Sequence, residues 1–350
     1  MTTLKMLSIL LVLTILPSLS IAEEESISFD DVEDVKVELP KSSVGEELRS
    51  HLMGRIDLTS EFSPYDNDEP EENHEFKNYH FFVFLKVKAS DRTEFFGEII
   101  GQKFYFVNLK VNNPITFSFG KIPVPFGDST SYHRYYGGVQ GLGSDGVLFP
   151  IVWAENGFNI RTQLNPLAIE TYMVNGFTEL DETTGKPKLN VGSNGSRQAG
   201  GARLSLDAGG VTPVLSYYHM QWRRGDSLNL IGGDLSSSYG LWDLSLFKHL
   251  RLGMGRAVAF IDGHQDGTFQ KAGDYAKIAT NLLGPVEFQL LYGTFTYDSS
   301  DKSEKDTHAF TLSGQVPWDQ VRLTLEYQWN FEAENEVEND ILRLMASLDF

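Results

Sequence analysis

Between Val321 and Phe331 the chain puts an apolar residue at every second position: Val321, Leu323, Leu325, Tyr327, Trp329 and Phe331. Arg322, Thr324, Glu326, Gln328 and Asn330 stand between them. Successive side chains of a β-strand point to opposite faces, so this pattern describes a strand with one apolar and one polar face. The alternation recurs along the chain. Leu342, Leu344, Ala346, Leu348 and Phe350 oppose Arg343, Ser347 and Asp349. Leu52, Ile56, Leu58 and Phe62 oppose Arg55, Asp57, Thr59 and Glu61. Tyr105, Val107, Leu109 and Val111 alternate with Asn108 and Lys110, and Ala202, Leu204 and Leu206 with Arg203, Ser205 and Asp207. In Phe81 to Lys88 the polar face is interrupted by Phe82 and Phe84. No internal stretch reaches the roughly 18 to 20 apolar residues that a membrane-spanning helix needs.

Turn residues divide these segments. Short connections are expected near Ser90-Asp91, Gly101-Gln102, Asn112-Asn113-Pro114, Asn165-Pro166, Ala208-Gly209-Gly210, His249, Gly284 and Pro317-Trp318. Longer polar ones are expected over Ser63 to Phe76, Asp128 to Ser144, Thr178 to Arg197, Arg223 to Asp234, Asp262 to Gly273, Asp298 to Asp306 and Glu332 to Asp340. A strand between each pair gives about sixteen, an even number, with short turns on one side and long loops on the other. The fold class that follows is all-β: a transmembrane antiparallel β-barrel of about 16 strands, with short periplasmic turns and long extracellular loops. A soluble sandwich or solenoid shares the alternation. The segments are long, however, and the last residue, Phe350, is in phase with an apolar face. Aromatic residues such as Phe62, Tyr297, Trp329 and Phe331 also fall at segment ends, where interfacial girdles sit.

The N-terminus points to export. Lys5, the apolar run Met6 to Leu16 and the small-x-small site Ser20-Ile21-Ala22 read as a signal peptide over residues 1–22. Residues 23–49 form an acidic segment, expected to be a solvated periplasmic tail, and the barrel is expected over 50–350. The chain has no cysteine, which excludes disulfides, thiolate metal sites and cysteine nucleophiles. Its formal net charge of −19 is concentrated in the acidic segment, Asp66 to Glu72 and Glu332 to Asp340.

Two segments resemble known proteins. Leu342 to Phe350 looks like the C-terminal signal that the barrel assembly machinery reads in outer-membrane proteins, with Phe350 as its aromatic last residue. Phe119-Gly120-Lys121-Ile122-Pro123-Val124-Pro125-Phe126-Gly127 resembles the G-K/R-x-x-x-P-F-G segment of phosphate-selective porins of the O/P type. In that family the segment closes an early strand and opens the loop that folds into the pore. The resemblance implies sixteen-stranded homotrimers in the Gram-negative outer membrane. Phosphate selectivity is not carried over, because Asp128 to Ser144 holds only His133 and Arg134 as basic groups. A general or differently selective porin is the reading.

With about sixteen strands a barrel encloses an aqueous channel, whereas about eight strands fill with side chains. The constriction candidates are Tyr132, His133, Arg134, Tyr135 and Tyr136 in a glycine-rich loop, together with Lys121. An ordinary exposed loop is the alternative. The lumen-wall candidates are Arg55, Asp57, Lys86, Lys110, Arg161, Arg203, Arg251, Glu287, Arg322, Glu326 and Arg343, all on polar strand faces. Opposed basic and acidic rows can filter solutes by charge, or the same residues can serve as wall salt bridges. No catalytic motif is present, and Asp262 to Gly267 lacks the terminal glutamate of a calcium loop. The expectation is therefore a non-enzymatic diffusion channel for small hydrophilic solutes or ions, without cofactor, metal or nucleic-acid partner and embedded in outer-membrane lipid. Two alternatives stay open: an adhesive or structural barrel working through Ser63 to Phe76, and an outer-membrane hydrolase using His219 or His249.

Overall fold

The computed structural model describes residues 52–63, 73–78, 81–100, 104–128, 136, 153–176, 179–180, 187–188, 198–223, 226–237, 248–263, 267–283, 285–296, 306–318, 320–332 and 340–350. The expected signal peptide, the acidic segment 23–49, Tyr132, His133, Arg134, Tyr135 and Tyr297 lie outside them. The strands, in chain order, are β1 (Leu52–Ser63), β2 (Asn73–Lys77), β3 (Phe81–Ser90), β4 (Thr93–Ile100), β5 (Tyr105–Asn112) and β6 (Ile115–Pro123). They continue as β7 (Ala154–Leu164), β8 (Leu167–Asn175), β9 (Glu179–Leu180), β10 (Pro187–Lys188), β11 (Gln198–Leu206), β12 (Val211–Arg223) and β13 (Asp226–Ser237). The last are β14 (Lys248–Gly263), β15 (Gly267–Leu283), β16 (Val286–Thr296), β17 (Asp306–Trp318), β18 (Val321–Glu332) and β19 (Ile341–Asp349).

Every wall strand pairs antiparallel with its neighbours, and β19 returns to β1, from Arg55 opposite Asp349 to Phe62 opposite Leu342. β2 covers Thr59 to Ser63 of β1 and β3 covers Leu52 to Ile56, so the two form one interrupted stave. β9 and β10 pair only with each other, and β8 pairs directly with β11 across them. The result is a closed antiparallel barrel of sixteen staves. Closure removes both sheet edges, so every strand finds backbone partners on each side, as a membrane wall requires.

The alternation seen in the sequence sets the two faces of the wall. On β12, Val214, Ser216, Tyr218 and Met220 are buried while Leu215 and Tyr217 are exposed. Leu58, Leu215, Met254 and Leu344 are each more than half exposed, on the outside of the barrel. Near the end of this face Tyr327 packs on Trp329 (centroids 4.4 Å), Phe310 packs on Trp329 (5.7 Å), and Tyr292 hydrogen-bonds His308 (2.9 Å). This aromatic and polar band is what an interfacial girdle consists of.

Connections at 91–92, 113–114, 165–166, 207–210, 284–285 and 319–320 lie at one rim, with the start of β1 and the end of β19. The strand ends that flank 64–72, 101–104, 124–153, 176–197, 297–305 and 333–340 lie at the other. Three expected connections are displaced. Arg223 to Asp234 was expected as a loop, but β13 occupies most of it and the connection is 224–225. The alternation there is blurred: apolar Leu228 and Leu230 face inward with Asp234, while Asn229 and Gly233 face out with Ile231 and Leu235. Asp262 to Gly273 was expected as a loop, but β15 starts at Gly267. His249 was expected in a turn; it lies inside β14 with a φ of 54°, where the register shifts between Lys248 and Arg251. A left-handed residue there bulges the strand instead of reversing it. The reversal falls at 238–247.

Candidate functional site

The lumen is divided into an apolar side and a charged side. The apolar side is built around residues that follow β6. Val124, Phe126, Tyr136 and Trp153 pack with Ile122 of β6, Tyr172 and Val174 of β8, Tyr218 and Met220 of β12, Leu228 and Leu230 of β13, Tyr275 of β15 and Phe295 of β16. Side chains from strands so far apart around a barrel can meet only in its interior. The chain after β6 therefore turns into the lumen. Phe126 is 0 % and Trp153 1 % exposed, and full burial of such side chains stabilises each by about 2 to 3 kcal/mol.

Polar contacts fix this infold to the wall. Val124 N–H donates to the Trp153 carbonyl (2.9 Å), which ties the entry and exit of the connection together. The Gly127 N–H donates to Ser216 Oγ of β12 (2.9 Å). Arg203 of β11 donates from Nε to the Gly127 carbonyl (2.7 Å) and from Nη2 to the Asp128 carbonyl (3.2 Å). Its Nη1 holds Glu170 of β8 at 2.8 Å. The Tyr136 hydroxyl donates to the Asp234 carboxyl group of β13, 2.5 Å from each oxygen, and Tyr275 donates to the same group at 3.1 Å. Two wall glycines make room. A Cβ on Gly232 would stand 2.8 Å from the Phe126 ring, and one on Gly255 would overlap Asp234 and Tyr275. Gly127 has a φ of 82°, which suits glycine at the bend.

The charged side runs through the seam of the barrel. Arg343 of β19 donates to Glu61 of β1 (2.8 Å), to Glu326 of β18 (2.5 Å) and to Gln328 (3.0 Å), while Lys77 approaches Glu61 at 2.8 Å. Nearer the turn rim Asp349 is shared by Arg55, at 2.5 Å, and Arg322, at 3.1 Å. Arg251 pairs with Glu287. Alternating signs on adjacent staves let each charge meet its opposite on the inward face, where the low-dielectric membrane does not reach it.

A third feature lies between the two sides. On β3, β4 and β5 and just before β5, phenylalanines cluster on the inward face, with Phe96 directly opposite Phe106. Phe84 stacks on Phe104 (5.3 Å, 4° between planes) and lies 5.1 Å from Phe96, which in turn lies 5.4 Å from Phe106. Phe82 and Phe84, which break the polar face in the sequence, open this ladder.

Of the residues singled out in the sequence, Arg55, Asp57, Lys86, Lys110, Arg161, Arg203, Arg251, Glu287, Arg322, Glu326 and Arg343 stand on the inward alternation. Tyr136 sits inside the barrel on Asp234. Lys121 stands on the outward alternation, between Tyr105 and Asn156, one position before the inward Ile122. His219 is exposed on the outer face, bonded to Asn229 (2.9 Å). Asp207 is part of a turn, where its Oδ1 accepts from the Gly209 N–H (3.2 Å). Sequence reading missed Asp234, Ser216, Gly232, Glu170 and Trp153. Asp234 and Gly232 lay in a stretch taken for a loop, and the isolated acid beside a glycine pair was the one local sign of a packed polar node.

No protein-family profile matches the chain, and no curated protein matches it. Solved structures do resemble it. An anion-selective porin from Comamonas acidovorans superposes with a TM-score of 0.63 at 12 % identity, covering 85 % of this chain and 98 % of that one. OmpF of Salmonella typhi, in a complex with daunomycin, gives 0.59 at 9 % identity, covering 85 % and 97 %. OmpT of Vibrio cholerae, an outer-membrane protein in its trimer form, gives 0.54 at 10 % identity, covering 85 % and 98 %. At such identities the likeness shows the fold: this chain has the barrel architecture found in porins.

Proposed function

We propose that the chain is an outer-membrane porin, a passive diffusion channel through which small hydrophilic solutes or ions cross the outer membrane of a Gram-negative cell. The observation that carries this reading is a closed sixteen-stave wall whose inward face is charged and whose infold after β6 is clamped by Arg203, Ser216 and Asp234. A barrel of that size without a pore would have no need of so many inward ions, and an infold clamped to the wall narrows a passage without closing it off. Residues 128–144 form the constriction, with Tyr132, His133, Arg134 and Tyr135 completing what Tyr136 begins. The turn rim faces the periplasm, the signal peptide 1–22 directs export, and Phe350 is read by the barrel assembly machinery. The working form is a homotrimer. The chain is not an enzyme.

The test is single-channel recording of the refolded mature chain in a planar bilayer. Stable conductance steps, arriving in threes for a trimer, are the expected result. Absence of steps from a barrel shown to be folded by heat-modifiable mobility overturns the reading.

A further inference from the structure

We infer that the wall formed by β3 to β7 selects for small carboxylates carrying an apolar, aromatic-sized body. This rests on the channel reading above and names the solute class. The residues concerned form a strip with two chemistries. At its upper end Phe96 and Phe106, opposite one another in register on the inward alternation, are only half-buried, with Phe106 packed between the infold cluster and the phenylalanine cluster. Phe84 and Phe104 behind them are buried and hold them in place. Lys86 stands directly opposite Phe96 and is already paired with Glu94 at 3.3 Å. Further toward the turn rim, Lys110 and Arg161 flank Thr116 in register.

The charge state of that lower end is what points to an anionic solute. Arg161 lies opposite Glu170, but Glu170 is already occupied: Arg203 holds Oε2 at 2.8 Å and the Asn159 side chain donates to Oε1 at 3.4 Å. Among the described residues neither Lys110 nor Arg161 meets an acid, whereas the cations of the seam do. Two uncompensated, exposed cations on the staves either side of β6 hold positive potential at one spot of the lumen. Lys110 lies four residues along β5 from Phe106, about 13 Å at strand spacing, and lysine and arginine side chains span much of that distance. An aromatic ring on the Phe96–Phe106 edge thus points its carboxylate toward Lys110 and Arg161. An aromatic cation meets the same ring and is repelled. A plain small anion meets only the charges.

The experiment uses the refolded mature chain in planar bilayers carrying potassium chloride current, with phenylacetate, acetate and phenethylammonium as probes. Phenylacetate interrupts the current at lower concentration than acetate, and phenethylammonium leaves it unchanged. Phe106→Leu, which keeps an apolar side chain, weakens the phenylacetate effect by about threefold to tenfold, the range of one aromatic contact. Lys110→Gln with Arg161→Gln, at exposed positions, weakens phenylacetate and acetate alike. Equal potency of phenylacetate and acetate overturns the aromatic half of the inference, and block by phenethylammonium overturns the charged half. A chain that gives no potassium chloride steps at all overturns the channel reading instead.

Discussion

Arg343 shows how much one residue can hold in this wall. Its guanidinium joins three staves, meeting Glu61 on β1 and Glu326 and Gln328 on β18, and its side chain is 6 % exposed. Arginine suits the place because its rigid fork of donors reaches several acceptors at once. Removing it leaves Glu326 without its cation and Glu61 with Lys77 alone. Breaking a buried ion pair from one side costs about 3 to 5 kcal/mol, and lumen water reduces that somewhat. Arg343→Ala is therefore expected to lower the unfolding free energy by about 3 kcal/mol, read from the urea midpoint of the barrel in detergent. Glu326→Gln added to it restores part of the loss. An unchanged midpoint in the single variant would show that the triad contributes nothing. Parity alone placed Arg343, Glu61 and Glu326 on one face in the sequence. Their contact was not legible, because Glu61 and Arg343 are 282 positions apart and meet only through the register of closure.

At the scale of an element, the infold after β6 is the part of the wall least like a barrel strand, and its anchors explain why it stays in. Where the chain turns away from the sheet, Ser216 accepts from the Gly127 N–H and Arg203 donates to the Gly127 and Asp128 carbonyls, groups that the sheet no longer pairs. Farther along, Tyr136 bonds Asp234 and packs edge-on against Tyr275 at 5.3 Å. Tyr136→Phe keeps the ring and removes the hydrogen bond. With one anchor gone the infold samples wider positions, and single-channel current is expected to grow noisier and larger. The bond at stake is worth about 1.5 to 3 kcal/mol if its partner is charged. Identical current level and noise in the variant would mean that Asp234 does not position the infold. The segment as such was legible, from its glycines and its resemblance to a pore-folding loop. Its anchors were not. Strand β13 carries Leu228 and Leu230 on the inner face, where the infold packs on them, as well as Ile231 and Leu235 on the outer face, and that loss of a clean apolar–polar alternation disguised Asp234 as a loop residue. The ion-pair faces of β1, β18 and β19 were legible because there the lumen is polar and the outside apolar, as the simple rule requires.

For the molecule as a whole, everything depends on one seam. Fifteen of the sixteen pairings join staves consecutive along the chain, but β1 meets β19 across nearly the whole chain, and Arg55 meets Asp349 at a separation of 294 residues. The two ion clusters lie on either half of this seam, and the last residue closes it: Gly54 and Phe350 exchange backbone hydrogen bonds at 2.6 and 3.0 Å. A Cβ at Gly54 would collide with the Phe350 ring, so the notch that receives the chain end requires glycine. The register predicts a covalent test. Leu58 stands opposite Ala346 on the outer face. Directly opposed residues of an antiparallel pair have Cα atoms about 4.5 to 5.5 Å apart, within the range a disulfide spans. The chain contains no cysteine of its own, so Leu58→Cys with Ala346→Cys reports only on the seam. Oxidation is expected to lock the barrel into a closed ring that keeps its folded mobility to a higher temperature until reductant is added, with a gain of up to about 5 kcal/mol from the large loop closed. Leu58→Cys with Leu344→Cys places the thiols diagonally, about 7 to 8 Å apart, and is expected to cross-link poorly. Efficient locking of the diagonal pair with failure of the direct one would mean that the barrel closes in a different register. The Arg343 and Arg55 clusters would then lose their partners together, since a slip by one residue turns every inward charge of β1 toward lipid.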